Sequence, residues 1–349
     1  MKKRGHPLGL HRVLEPAGAL PQAAFRLDST PECYDNEILL DVEVLNITSA
    51  SFSRIKREVG TGEEALARAV LQIVRERGKY QDPVLGSGGM LIGTVLEIGD
   101  RLAGRIDLAP GDGVATLISL TATPLSLEEV LHINPATDQV RVRGKAVLFE
   151  RSLFARIPGD LPAEVSLAVM DVAGAPAMVA RSVAAGDTVV ILGGGKAGLL
   201  CLHEARTRVA PTGKTIAVEY SAKRCGEILS LGLADIALPL DVTKPVEVME
   251  KIEEATGGAM ADFTVNVVNV EHSEMAAILS TKPAGTVFFY NTATSFTRAA
   301  LGAESAATPV RMLIGNGYVP GHAELTFQIL RENEKLRKFF EVLYAKKES

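Results

Sequence analysis

Residues Asp187–Leu200 read DTVVILGGGKAGLL: an apolar run, three glycines, a lysine, an alanine, a fourth glycine and a second apolar run. Gly193, Gly195 and Gly198 satisfy the pattern G-x-G-x-x-G. In a chain with 32 glycines that pattern alone says little, so its context decides. An apolar strand runs directly into it and a helical pattern leaves it, as a dinucleotide-binding turn requires. The first glycine permits the tight turn, the second lets backbone N–H groups approach a pyrophosphate, and the third lets helix pack on strand. The expected cradle is therefore Gly193, Gly194, Gly195, Lys196, Ala197 and Gly198, with the helix N-terminus supplying positive potential. A mononucleotide loop is excluded, because it needs Ser or Thr after the lysine and Ala197 follows Lys196.

Downstream, the pattern alternates. TVVIL is followed by a helical KAGLLCLHEARTRV, then KTIAVEY, SAKRCGEILSLG, IALPL, VEVMEKIEEATGG, DFTVNVV, HSEMAAILSTK and GTVFFYN. Strand and helix in turn at this spacing give a doubly wound parallel sheet of the Rossmann type. Glu219 lies about 20 residues past the last glycine, where an acid accepts hydrogen bonds from the adenine ribose hydroxyls. A carboxylate there repels the extra phosphate of NADP, so the expected cofactor is NAD. Tyr220 and Arg224 join the same cofactor-binding set; Lys223 and Arg224 could argue for NADP, but they read more simply as exposed cations on the next helix. Asp241 follows the third strand at the adenine edge. Asn269, at the end of DFTVNVVN, and Asn291, at the end of GTVFFYN, point to the crevice at the strand C-termini. Asparagines at strand ends are also turn formers.

Upstream, the rhythm is different. EILLDVEVLNI, MLIGTVLEIG, DGVATLISL and QVRVRGKAVLF are short β-rich segments separated by Gly and Pro turns. One interruption, Gly62–Tyr80, has Leu66, Ala69, Val70, Ile73 and Val74 at helical spacing. The expected organisation is a β-rich substrate domain over 1–158, an NAD-binding domain over 159–320, and a long C-terminal amphipathic helix within 321–349 packing back toward the first domain.

Composition narrows the rest. The net charge is −5 with no long block of either sign, so a nucleic-acid partner is not expected. The basic start MKKRGHPLGLHRVLEPAG lacks the apolar core of a signal peptide, and no apolar run approaches the ~20 residues of a membrane span. Cys33, Cys201 and Cys225 are scattered without CxxC spacing, which suits a reducing cytoplasm and offers no structural zinc lobe.

Several segments resemble the medium-chain dehydrogenase/reductase superfamily. PVLGSGGMLIGTVLEIG is similar to its GHE…G.V…G stretch, LAPGDGV to its GD.V turn, and AAGDTVVILGGGKAGLL to its entry into the nucleotide domain. The resemblance implies a GroES-like first domain and a homodimer joined through the last strand, VRMLIGNG. Zinc-dependent members have Cys near Ser49, His at Ser87, Glu at Gly88, and a third ligand near Asp171. One carboxylate and two hydroxyls do not make a catalytic zinc site, so the resemblance is to a zinc-free member with no metal expected. RGKYQDPVLGSGGMLIGTVLEIG, ATPLSLEEVLHINPATDQVRVRGKAVLFE and VVILGGGKAGLLCLHEAR are similar to the superfamily's diamino-acid dehydrogenases of lysine breakdown. That implies NAD-dependent oxidative deamination of a small diamino acid. Zinc-free quinone or enone reductases, and a non-catalytic NAD-binding protein, are the alternatives.

An amine needs less help than an alcohol, since its deprotonated nitrogen can expel a hydride and form an iminium. What remains is a base for the ammonium proton, a water to attack the iminium, and an acid to release ammonia. Asp171 is the first expectation for the base, with an N-terminal helix cap or a buried salt bridge as its ordinary role. Ser49, Ser51 and Ser87 fall in the former metal pocket, each with an ordinary turn or strand serine as the alternative. Tyr80 is expected to close the pocket and His132 to serve as a catalytic candidate, both with structural alternatives. Arg54 and Lys79 are the cations expected to hold the substrate carboxylate, with surface solvation as the ordinary role of both.

Overall fold

A computed structural model of the chain describes residues 2–134, 137–315 and 317–345. The fold divides into two compact units, one running through Asp171 and including the chain from Glu341, the other comprising Val172–Phe340. The expected boundary at 158 falls short of this division, because helix α3 (Ala163–Met170) belongs to the first unit.

The first unit begins with a two-stranded antiparallel ribbon, β1 (Val13–Glu15) and β2 (Arg26–Leu27). Its body is an antiparallel sheet of β3 (Glu37–Ile47), β4 (Gly89–Ile98), β5 (Gly113–Thr116), β6 (Leu125–Asn134), β7 (Gln139–Phe149) and β8 (Phe154–Arg156). The spatial order is β6-β7-β3-β4-β5-β8. EILLDVEVLNI forms β3, paired on both edges, and Leu40, Leu45 and Ile47 have no exposed surface. Between β3 and β4 lie α1 (Ser49–Val59) and α2 (Glu63–Arg77). The three-and-four spacing of Leu66, Val70, Ile73 and Val74 buries one face of α2, which packs against β6. Each such side chain contributes about 1.5–3 kcal/mol by leaving water. The helix stops at Gly78, whose φ of 60° is left-handed. A Cβ there would lie 2.0 Å from the Leu27 carbonyl oxygen, so no other residue fits.

Helix α1 is a correction, since its serines were expected in a turn or strand. Ser and Thr at positions 48–51 weaken the local helical pattern. Burial of Phe52 and Ile55 along one face overrides that preference.

The second unit is a fully parallel sheet of β9 (Thr188–Leu192), β10 (Lys214–Glu219), β11 (Ile236–Pro239), β12 (Ala261–Asn266), β13 (Thr281–Phe289) and β14 (Arg311–Ile314). Its order, β11-β10-β9-β12-β13-β14, reverses direction between β9 and β12. This is the dinucleotide-binding topology, with ligands taken outside the strand C-termini at the switch point. Helices α4 (Gly174–Ser182), α5 (Lys196–Val209), α6 (Ala222–Ser230), α7 (Pro245–Thr256), α8 (Glu274–Leu279) and α9 (Phe296–Ser305) alternate with the strands. Val190, Leu192, Ile216, Val218 and Val287 are fully buried in the core beneath them.

Two further expectations change here. The strand DFTVNVVN ends at Asn266, so Asn269 lies in the following loop. The expected single C-terminal helix is two, α10 (His322–Glu332) and α11 (Glu334–Tyr344), interrupted at Asn333. Asn333 is extended, with φ of −120° and ψ of 91°, and its Oδ1 accepts from the N–H of Leu336, so its side chain starts the second helix. Helix α10 packs against α4 and α5. Among the described residues no single helix is long and apolar enough to cross a membrane.

Candidate functional site

The glycine loop joins β9 to α5 as the sequence demands. Gly193 has φ of 106°, and the position of a Cβ on Gly198 would be 1.8 Å from the Gly193 carbonyl oxygen. The third glycine is therefore fixed by the contact between helix and strand. Gly195 is the N-cap of α5, and nothing lies within 4 Å of where its Cβ would be. No side chain caps this helix and no acid stands in its first turn, which opens at Lys196, Ala197 and Gly198. The positive end of its dipole thus meets no protein anion from its own first turn. Such an open, uncapped cradle fits a pyrophosphate.

Glu219 stands at the end of β10 and reaches back to this loop. Its Oε2 accepts from the Gly194 N–H at 2.7 Å and its Oε1 from the Ser221 N–H at 2.9 Å. Tyr220, next to it, is exposed. Arg224 lies in the first turn of α6, its N–H donating to Ser221 Oγ, and its guanidinium pairs with Glu227 at 2.8 Å. Asp241 folds into a local turn instead, its Oδ1 accepting from Thr243 Oγ1 at 2.7 Å and Thr243 N–H at 2.9 Å. Those bonds hold its carboxyl below the ordinary range.

Asn291 ties the ends of β12 and β13 together. Its Nδ2 donates to the Asn266 carbonyl at 3.1 Å, while its Oδ1 accepts from the N–H groups of Ala293 and Thr294. Asn269 accepts from Thr292 N–H at 3.1 Å. Both asparagines organise the loops at the strand C-termini. Asn266, which the sequence reading passed over, is the buried partner at their centre.

In the first unit, Ser51, Tyr80 and Arg54 do come together, around a carboxylate that was not anticipated. Asp82 accepts from Ser51 Oγ at 2.8 Å, from Arg54 Nε at 2.8 Å, and from the N–H groups of Val84 and Leu85. Tyr80 hydroxyl completes the chain, 2.8 Å from Ser51 Oγ. Burial alone would raise the Asp82 pKa, but the bonds from Leu85, Arg54, Ser51 and Val84 outweigh it and hold the carboxyl low. Burial pushes the Tyr80 hydroxyl far up. Ser51 and Tyr80 have no exposed surface, and their hydroxyls are engaged in this network. Arg54 is likewise committed, to Asp82 and to Glu58, and its charge is already met.

Ser87 is half-buried at the other end of this loop, its Oγ 2.9 Å from Thr48 Oγ1. Ser49 is exposed in the first turn of α1. Gly88 lies under the turn at Leu120–Ala122: a Cβ there would come 2.6 Å from Ser119 Oγ and 2.9 Å from Thr121 N. Asp171 is half-exposed at the C-terminal end of α3, so it does not cap that helix's N-terminus.

Lys79 and His132 stand apart from these residues. The Lys79 ammonium is fully buried on the carbonyls of Pro21 at 2.8 Å and Gln22 at 3.0 Å. Burial, with the Arg77 charge, pulls its pKa down to about 8. It therefore anchors the N-terminal segment. His132 sits on the exposed side of β6 with Nδ1 2.9 Å from Glu63 Oε1, tying that strand to the start of α2. Among the described residues no group of three His, Cys, Asp or Glu side chains is placed to hold a metal ion.

Residues 11–158 match the N-terminal domain of L-erythro-3,5-diaminohexanoate dehydrogenase. The chain is 48% identical over 342 residues to L-erythro-3,5-diaminohexanoate dehydrogenase of Acetoanaerobium sticklandii, spanning 98% of this chain and 99% of that one. It is 46% identical over 343 residues to the enzyme of the same name from Fusobacterium nucleatum, again spanning 98% and 99%. The chain belongs to the L-erythro-3,5-diaminohexanoate dehydrogenase family.

In fold, this family member is similar to an alcohol dehydrogenase from Thermotoga maritima, with a TM-score of 0.55 at 17% identity over 88% of this chain and 85% of the other. At that identity the likeness is one of fold. The shared fold comprises a β-rich unit and a Rossmann unit, and as a member of a dehydrogenase family with such a unit the chain takes a nicotinamide cofactor. The Asp82 cluster had one legible signal, since Asp before Pro83 marks a turn start. Nothing in the spacing tied it to Ser51 or Arg54.

Proposed function

We propose that the enzyme oxidises L-erythro-3,5-diaminohexanoate at C3 with NAD and water, giving 5-amino-3-oxohexanoate, ammonium, NADH and a proton. The observation that carries this reading is identity of 48% and 46% to two dehydrogenases of that name over nearly the whole of each chain. NAD is favoured over NADP because Glu219 presents a carboxylate beside Gly194, where a ribose phosphate would be repelled.

Bound NAD would supply the hydride acceptor. Gly193–Gly198 and the N-terminus of α5 would hold its pyrophosphate, and Glu219 its adenine ribose. The chain's own task is proton traffic. We assign Asp171 to take the proton from the C3 ammonium, freeing the lone pair whose donation forms the iminium as the C3–H bond breaks. Once that proton has passed to solvent, the same carboxylate is suited to taking a proton from the water that adds to C3 and to returning it to nitrogen as the C–N bond breaks. Ser87, held by Thr48, and Ser49 would offer hydroxyls to the substrate or that water.

No zinc enters this proposal. Zinc-dependent relatives carry His and Glu where this chain has Ser87 and Gly88, and Ser119 and Thr121 fill the direction a Glu side chain at 88 would take. A homodimer through the edge strand β14 agrees with the exposed Leu313 and Ile314 there and with the unpaired edge such a strand leaves. Asn316, in the same expected interface, lies outside the described residues. Cys33, Cys201 and Cys225 are buried free thiols, which suits the cytoplasm.

The test mixes purified protein, NAD and 3,5-diaminohexanoate with a metal chelator and follows NADH absorbance. Growth that persists in chelator is expected. Silence with the diamine, together with NADPH oxidation by quinones, would replace this reading with a reductase.

A further inference from the structure

Arg224 poses a problem for cofactor choice. An arginine just past the acid of the second strand is where a 2′-phosphate of NADP finds its partner. Its stem is well placed for that: a Cβ on Gly194 would come 2.8 Å from Arg224 Cγ and 3.0 Å from Glu219 Oε2. Cation and carboxylate therefore converge on the same glycine of the cradle.

The guanidinium itself is turned away along α6. Its Nη1 lies 2.8 Å from Glu227 Oε2, one turn further on. That nitrogen is buried and makes no aligned hydrogen bond, so the contact is one of charge. Its Cζ lies over the Phe339 ring, 5.1 Å from the centroid. Phe339 comes from α11 and is braced edge-on against buried Phe340, with centroids 6.2 Å apart. A half-buried carboxylate and an aromatic face thus occupy the head group from two elements.

We propose that Glu227 and Phe339 latch the Arg224 guanidinium away from the adenosine ribose and are a second determinant of NAD over NADP, beside Glu219. The proposal rests on the NAD reading and deepens it. Glu219 repels the phosphate, and the latch withholds the cation that would otherwise offset that repulsion. Release of the arginine supplies a charged donor in the same neighbourhood.

The test measures dissociation constants of NAD and NADP by calorimetry for wild type, Glu227→Gln, Phe339→Leu and the double variant Glu227→Gln/Arg224→Ala, alongside kcat/KM with each cofactor. Either single release should tighten NADP relative to NAD by about tenfold, the worth of one charge-assisted bond to phosphate. Adding Arg224→Ala should erase that gain. If Phe339→Leu unsettles α11, Glu227→Gln alone carries the test. A wild type that prefers NAD, with an unmoved ratio in folded Glu227→Gln, removes the latch and leaves the NAD reading standing. A wild type that binds NADP as tightly as NAD removes both.

Discussion

The backbone N–H of Gly194 donates to Oε2 of Glu219 across 2.7 Å, joining the glycine loop to the tip of the neighbouring strand. With the Ser221 N–H on Oε1, two backbone donors fix the carboxylate before any ribose arrives. Preorganisation of this kind lowers the ordering cost of binding. Glu219→Gln should weaken NAD by about tenfold and lessen discrimination against NADP, as loss of one charge-assisted bond implies. Calorimetric titration with both cofactors checks it, and unchanged constants would take Glu219 out of the site.

Two glycines of the same loop should behave differently. Gly198→Ala puts a methyl 1.8 Å from the Gly193 carbonyl oxygen, so strand and helix must separate. A stability loss of about 1–3 kcal/mol is expected, with NAD binding weakened as well. Gly195→Ala meets no protein atom and should melt like wild type, yet lose NAD affinity because the methyl intrudes on the pyrophosphate. Thermal melts and titrations on both variants separate the two effects.

Asp82 should matter for stability in a pH-dependent way. Its carboxyl titrates below the ordinary 3.8, so its stabilisation is complete above that value and fades as pH falls through the lower folded value. Asp82→Asn should cost about 3 kcal/mol at neutral pH, since it strips a buried partner from Arg54. The gap in denaturant midpoint between wild type and variant should shrink at pH below 3.8. A gap that is constant across that range would mean that the charge is not the source.

Asp171→Asn should lower kcat by about 100-fold or more, the scale of a lost general base, with little change in NAD affinity. Steady-state rates and NAD titration on the same preparation decide it. Equal turnover would remove Asp171 from the chemistry.

The parallel unit was legible because every strand there is an apolar run beside a helical period, and the loop glycines have no substitute at Gly198. The strand of the first unit that sits mid-sheet, β3, was legible from its own apolar run. Helix α1 was not, since Thr48, Ser49 and Ser51 mask a helix held by Phe52 and Ile55. The polar residues divide along a similar line. Glu219 sits at a fixed distance from a motif, so spacing finds it. Lys79, Tyr80 and Ser51 are buried by contacts with Pro21, Gln22 and Asp82, partners that only the folded chain brings near. Burial turned residues that looked reactive into anchors.

The most direct measurement counts products. With NAD, 3,5-diaminohexanoate and excess chelator, ammonium and NADH should appear in equal amounts from the purified enzyme. NADH without ammonium, or no NADH until a divalent metal is restored, would contradict an oxidation driven by the amine's own lone pair.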